Sequence, residues 1–184
     1  MSKVFVVSAP SGAGKTTVVR KVLENFPEIV FSISATTRAK RDFETDGVDY
    51  FFMSEGEFKK KIKLDEFVEW ESFYGYYYGT LKSFVNCEIE KGNSVLLEVD
   101  VKGAMKIKEV YPEAIMIFIL PPNIEELKKR LINRKTESKE DLQKRVERAT
   151  MEIEFQKYFQ YKIVNDDIEH ARKQAFNIFK NELS

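Results

Sequence analysis

The chain has a single cysteine, Cys87, in 184 residues. One thiol excludes an internal disulfide and a zinc cluster built on several thiolates. An excess of one charge is also missing, since thirty basic and thirty acidic side chains cancel to a formal net charge of zero. There is thus no global basic field to wrap nucleic acid, and any bound anion has to be held by local geometry. No apolar run approaches the ~20 residues of a membrane span; the longest, residues 114–120, reads as a buried strand. A signal-peptide pattern, an internal repeat and a low-complexity linker are absent as well. The expectation is a cytoplasmic protein, monomer or homodimer, with no nucleic-acid or membrane partner. The one histidine, His170, falls on the surface of the last predicted helix. No nucleophile–base pair appears, so no covalent intermediate is expected.

What is present is a chain 43% hydrophobic, enough for one compact core with small appended lobes. Strand and helix patterns alternate, which argues for an α/β fold with a parallel sheet covered on both faces. The strands are read at residues 4–8, 29–34, 94–99, 114–120 and 161–164. Helices are read at residues 16–25, 101–110 and 168–180, the last capped by Asp167. Two stretches break the alternation. One, residues 36–80, is rich in aromatics and polar groups and reads as an inserted lobe with strand-like pieces at 49–53 and 66–71. Between these lies a short helix with Ser54 and Glu57 as its capping box. The other is dense in charge: Asn123 caps a helix bearing Lys128, Lys129 and Arg130, and a second helix begins near Ser138. This segment suits a lid that closes over a site. Trp70, Cys87 and the phenylalanines read as packing.

Between the first strand and the first helix stands Ala9-Pro10-Ser11-Gly12-Ala13-Gly14-Lys15-Thr16, followed by Thr17. A glycine-rich run ending in Gly-Lys-Thr in that context is a phosphate loop. Its glycines let main-chain N–H groups turn inward around phosphate oxygens, and the helix N-terminus adds partial positive charge. Lys15 supplies a full charge at the outer phosphates, and the Thr16 hydroxyl is a ligand for Mg²⁺. Ala9 stands where the usual pattern has glycine.

Further motifs narrow the reading. They are Ser34-x-Thr-Thr-Arg38, Asp49-Tyr50, Glu69-Trp70, Tyr77-Tyr-Gly-Thr80, Glu98-x-Asp100-x-x-Gly103 and Val164-Asn165-Asp166-Asp167. Together with arginines at 130, 134 and 145 they span almost the whole chain. The set resembles the guanylate kinases, enzymes that phosphorylate GMP with ATP. The resemblance implies a three-layer αβα sandwich of the P-loop kinases. The core would be residues 1–33, 81–122 and 144–184, the inserted mixed α/β GMP-binding lobe 34–80, and the short helical lid 123–143. It implies Mg²⁺ with ATP as cofactor, and ATP and GMP (with dGMP not excluded) as partners in purine nucleotide metabolism.

Side-chain chemistry supports the implied roles. Guanine offers two adjacent donors, N1–H and its amino group, which one carboxylate, Glu69, accepts together, while Ser34 and Thr80 donate to O6. Adenine mismatches both contacts. Arg38 and Arg41 carry planar donor forks for the GMP phosphate, with Tyr50 and Tyr78 adding hydroxyls. Lys15, Arg38, Arg134 and Arg145 are the implied catalytic groups, because phosphoryl transfer needs positive charge on the transferring group. Arg130 and Asn165 are assigned to ATP, and Asn165 serves equally as a turn residue. Glu98 and Asp100 end a strand beside the loop. One of them approaches Mg²⁺ and the other GMP, with Asp100 assigned beside Thr16 to the metal; Gly103 allows close approach to the nucleotide. Lys40, Phe43 and Lys135 replace proline or glycine of the family pattern, which bears on loop conformation. Two other readings stand beside this one: a guanylate-kinase-like protein-binding module, and a phosphate-loop kinase for another small acceptor. The intact loop argues against the first, and the Ser34, Glu69 and Thr80 set against the second.

Overall fold

The computed structural model describes residues 2–73, 75–132 and 139–184. In chain order the elements are β1 (Val4–Ser8), α1 (Lys15–Asn25), β2 (Ile29–Phe31), β3 (Ala35–Thr36), β4 (Phe51–Phe52), α2 (Glu55–Lys63), β5 (Phe67–Phe73) and β6 (Tyr76–Leu81). They continue with α3 (Lys82–Glu90), β7 (Ser94–Glu98), α4 (Val101–Val110), β8 (Ile115–Leu120), α5 (Ile124–Ile132), α6 (Lys139–Ile153), β9 (Tyr161–Val164) and α7 (Ile168–Leu183). A 3₁₀ turn, Glu154–Tyr158, joins α6 to β9.

The central sheet is parallel throughout, in the order β2-β7-β1-β8-β9. Its strands are apolar on both sides because helices cover both faces. In β1, Phe5 and Val7 face α1 and α7, packing with Val18, Val22, Ala171 and Phe179. Val4 and Val6 face the other way, with Val85 of α3 and Ala104 and Ile107 of α4. The two-residue period of the strand thus builds two cores, and Phe5 stacks on Phe179 at 4.4 Å between ring centroids. The chain leaves β1 toward one side of the sheet and later returns to the other. Ligands gather at such a switch point, outside the carboxyl ends of the strands.

The inserted segment forms its own sheet, β4-β3-β6-β5, with a small core of Ala35, Phe58 and Phe67. Phe58 stacks on Phe67 at 4.2 Å. The expected capping box starts α2: Ser54 Oγ accepts from the Glu57 N–H at 3.2 Å, and Glu57 Oε2 accepts from the Ser54 N–H at 2.8 Å. Asn123 Oδ1 likewise accepts from the Glu126 N–H at the head of α5. Asp167 caps α7 through the N–H groups of Glu169 and His170.

Several expectations need correction. The second strand ends at Phe31, three residues early, although the Ser32 N–H still donates to Leu96 O before the chain turns into the lobe. β6 carries the tyrosine run, which lacks an alternating pattern and takes its shape from pairing along β5. Trp70 is not core: it is 36% exposed, with the Lys106 ammonium 5.6 Å from its ring. Cys87 is exposed, because α3 buries its opposite side through Val85. Phe43 is 79% exposed. Among the described residues no helix is long and apolar enough to cross a membrane.

Candidate active site

The phosphate loop takes its shape from two glycines in the left-handed region, Gly12 at φ +89° and Gly14 at φ +91°. The Ala13 N–H between them donates to Pro10 O at 3.1 Å, which closes the turn. Gly14 is also the N-cap of α1, and no side chain caps that end. The first N–H groups of the helix are therefore left for an anion. Ala9 does not need to be glycine here, since Asp65 alone among the described non-glycine residues has positive φ. The same holds for Phe43, so its replacement of a family glycine strains nothing.

Lys15 Nζ donates to Val99 O at 2.9 Å and lies 3.9 Å from Glu98 Oε1. Burial holds the lysine pKa below its ordinary value, while Glu98 and Asp100 pull it back up. Thr16 Oγ1 donates to Glu98 Oε1 at 2.7 Å. Asp100 instead caps α4 by accepting from the Gly103 N–H, and it stands 3.3 Å from the Arg148 guanidinium. The strand-end acids therefore part company: Glu98 sits with Lys15 and Thr16, and Asp100 faces α6.

A cavity of about 600 Å³ opens over the loop, of the size that takes a nucleotide-sized ligand. Its walls are the loop residues, Thr17, Ser72 and Phe73 of β5, Asp100, and Lys144, Arg145, Arg148 and Glu152 of α6. Arg145 reaches Ser11 Oγ at 3.5 Å. Arg148 bonds Glu152 through Nε at 2.8 Å and lies 3.7 Å from Glu71. Burial and hydrogen bonding to Asp100 raise the Glu71 carboxyl from its ordinary 4.5 to about 7.

In the lobe, a bulge between Phe67 and Glu69 re-aims β5 so that Glu69 faces Thr80. Glu69 is 9% exposed, and Thr80 Oγ1 donates to its Oε1 at 2.6 Å. Burial raises its pKa, with Thr80 opposing. Arg38 forks onto buried Glu44 with bonds of 3.0 and 2.6 Å, and its guanidinium stands 5.3 Å from the Tyr50 ring centroid. Tyr78 is a further partner of Arg38. Arg41 is exposed, with its main-chain N–H on Glu44. Ser34 leads into β3, its carbonyl accepting from the Phe51 N–H.

Asn165 is buried, and its side-chain amide donates to Ala13 O at 2.7 Å. It braces the phosphate loop from behind, and Arg130 in turn donates to the Asn165 carbonyl at 3.0 Å. The contact to the loop fits the turn role read for Asn165 beside a nucleotide contact. Arg134 lies outside the described residues. Glu44, Glu71, Arg148 and Glu152 join the site without belonging to any of the motifs that point to it. Two-residue spacing from Glu69 and helical spacing from Arg145 point to Glu71 and Arg148, whereas nothing in the sequence ties Glu44 to Arg38.

The guanylate kinase family model matches residues 1–182. The chain belongs to the guanylate kinase family. It is 48% identical over 91% of its length to a guanylate kinase of Caldanaerobacter subterraneus subsp. tengcongensis, covering 81% of that protein. It is 42% identical over 98% of its length to one of Thermotoga maritima, covering 87% of it. A crystal structure of guanylate kinase from Anaplasma phagocytophilum superposes with a TM-score of 0.76 at 34% identity, covering 98% of this chain and 86% of that one. The fold is that of the P-loop kinases, as the guanylate kinase resemblance implies.

Proposed function

We infer that this chain transfers the γ-phosphoryl group of ATP to the phosphate of GMP, and of dGMP, giving ADP and the nucleoside diphosphate. The observation that carries this reading is buried Glu69, held by Thr80, on the strand whose far end walls the phosphate cavity. A buried carboxylate is costly unless donors meet it, and guanine presents two adjacent donors. Thr80 gives its one hydroxyl proton to Glu69 Oε1, which leaves the Ser34 hydroxyl as the donor for O6, and adenine matches neither the carboxylate nor that donor. Arg38, set by Glu44, serves the acceptor phosphate with Arg41, Tyr50 and Tyr78.

On the donor side the loop amides and Lys15 hold the polyphosphate, while Arg145, Arg134 and Arg148 bring positive charge to the transferring group. Positioning and electrostatics account for most of the catalysis in such transfers. The attacking oxygen is already ionised, so no general base is required. The Thr16 hydroxyl and the Glu98 carboxylate, with Asp100 nearby, are hard oxygen donors that fit Mg²⁺, which keeps few protein ligands beside phosphate and water. When bound with ATP, this ion neutralises charge on the outer phosphates. We further assign residues 1–33, 81–122 and 144–184 to the core, 34–80 to the acceptor lobe and 123–143 to a lid, and we place the protein in the cytoplasm.

A panel of GMP, dGMP, AMP, CMP and UMP in a coupled ADP-release assay tests the reading. GMP should far exceed AMP, and Glu69→Gln should erase most of that preference, a change of roughly 10²-fold or more. An unaltered GMP-to-AMP ratio in the variant removes Glu69 from base recognition.

A further inference from the structure

Gly103 sits in the first turn of α4, where its N–H bonds the Asp100 cap. No turn demands a glycine there, because its φ is not positive. Alanine is the better helix former, so helix stability gives no reason for glycine. The surroundings give one. A Cβ at this position meets Glu69 Oε2 at 3.1 Å, Asp100 Oδ1 at 3.3 Å and Val99 Cβ at 3.3 Å. The first contact is tighter than carbon and oxygen normally accept, so the carboxylate has to move. Glu69 has little freedom to do so. Its other oxygen is fixed by Thr80 at 2.6 Å, and its residue is 9% exposed. Asp100 is likewise held by the Gly103 N–H at 2.8 Å.

We propose that Gly103 is a specificity-determining position that acts through Glu69: the missing side chain leaves the space in which the Glu69 carboxylate lies edge-on to both donors of the acceptor purine. The close approach that the glycine permits is that of a protein carboxylate, not of the nucleotide. This rests on the assignment of Glu69 to base recognition above. A carboxylate rotated about its Thr80 anchor keeps one oxygen near the base and withdraws the other. The two-point contact to N1–H and the 2-amino group then becomes a one-point contact.

The test compares the wild type, Gly103→Ala, Glu69→Gln and the double variant, with GMP and IMP as acceptors. IMP has N1–H and lacks the 2-amino group. Gly103→Ala is expected to melt no lower than the wild type and to bind ATP unchanged. Its kcat/KM for GMP should fall roughly 10- to 100-fold, with IMP affected far less. In the double variant, alanine should add nothing to the loss caused by Glu69→Gln, as residues acting through one contact are not additive. A GMP efficiency within about twofold of wild type overturns the proposal, and so do additive losses in the double variant. A lowered melting point or failure to fold overturns it too, since the strain then falls on Val99 and the backbone. If Glu69→Gln alone leaves GMP use intact, the base-recognition reading itself fails, and that result comes from a different variant.

Discussion

Gly14 is required twice over, and Gly14→Ala separates this loop from an ordinary helix start. Its φ of +91° is a left-handed conformation that costs an L-residue roughly 1–2 kcal/mol. An added Cβ also lies 2.3 Å from Asn165 Nδ2, far inside contact distance. Asn165 has to leave, and its buried bond to Ala13 O is lost, at about 1–3 kcal/mol for the unpaired groups. The sum is about 2–5 kcal/mol, which for a chain of this size lowers Tm by on the order of 5–15 °C. Gly12→Ala carries the same kind of backbone cost at φ +89°, but its Cβ meets the flexible ends of Leu131 and Leu127 at 3.0 and 3.2 Å. The expected order of damage is therefore Gly14→Ala above Gly12→Ala. Asn165→Ala should reproduce the hydrogen-bond part alone. Thermal melts and ATP calorimetry on the three variants read this out. If Gly14→Ala melted within about 2 °C of wild type and bound ATP normally, the bracing of the loop by Asn165 would be refuted.

Lys15→Met should cut kcat by roughly 10²–10³-fold while the protein still folds, because the lost bond to Val99 O is offset by removal of a buried charge and Glu98 keeps its Thr16 partner; a preserved kcat contradicts the loop assignment. Glu71, raised to about 7, holds a proton in the folded state that it releases when unfolded between pH 4.5 and 7. Its contribution to stability is thus present below pH 4.5 and fades as pH rises through 7, so Glu71→Gln should flatten Tm against pH in that window; an unchanged slope removes Glu71 as its source. Arg148→Ala leaves buried Glu152 without its guanidinium, at about 1–3 kcal/mol, and should lower kcat roughly 10²-fold; steady-state kinetics with a melt checks both.

The legible parts of this molecule are those where local pattern and tertiary environment agree. The phosphate loop, the capping box at Ser54 and the apolar strands read directly, because each is decided by its own few residues. The uniform apolar run of β1 says that both faces are covered but not which face meets which helices. The boundary of β2 was not legible, because the chain leaves the sheet where the lobe pulls it, with no proline or glycine to mark the place. Trp70 and Cys87 misled for a related reason: residue type predicts burial only on average, and each lies on the open side of its element. In the site, Glu69 and Arg38 were found by motif, whereas Glu44, which sets Arg38, follows a loop conformation that no spacing encodes. The separate settings of Glu98 and Asp100 depend on strand ending and helix capping within two residues, which the sequence leaves open.

The account stands on one transfer, and isotope labelling tests it directly. The protein is incubated with magnesium and ATP carrying a labelled γ-phosphate, with GMP as acceptor, and the products are separated. The label is predicted in the β-position of GDP, and AMP in place of GMP should leave it on ATP. Label recovered only as inorganic phosphate, or carried equally well by ADP formed from AMP, would contradict the account.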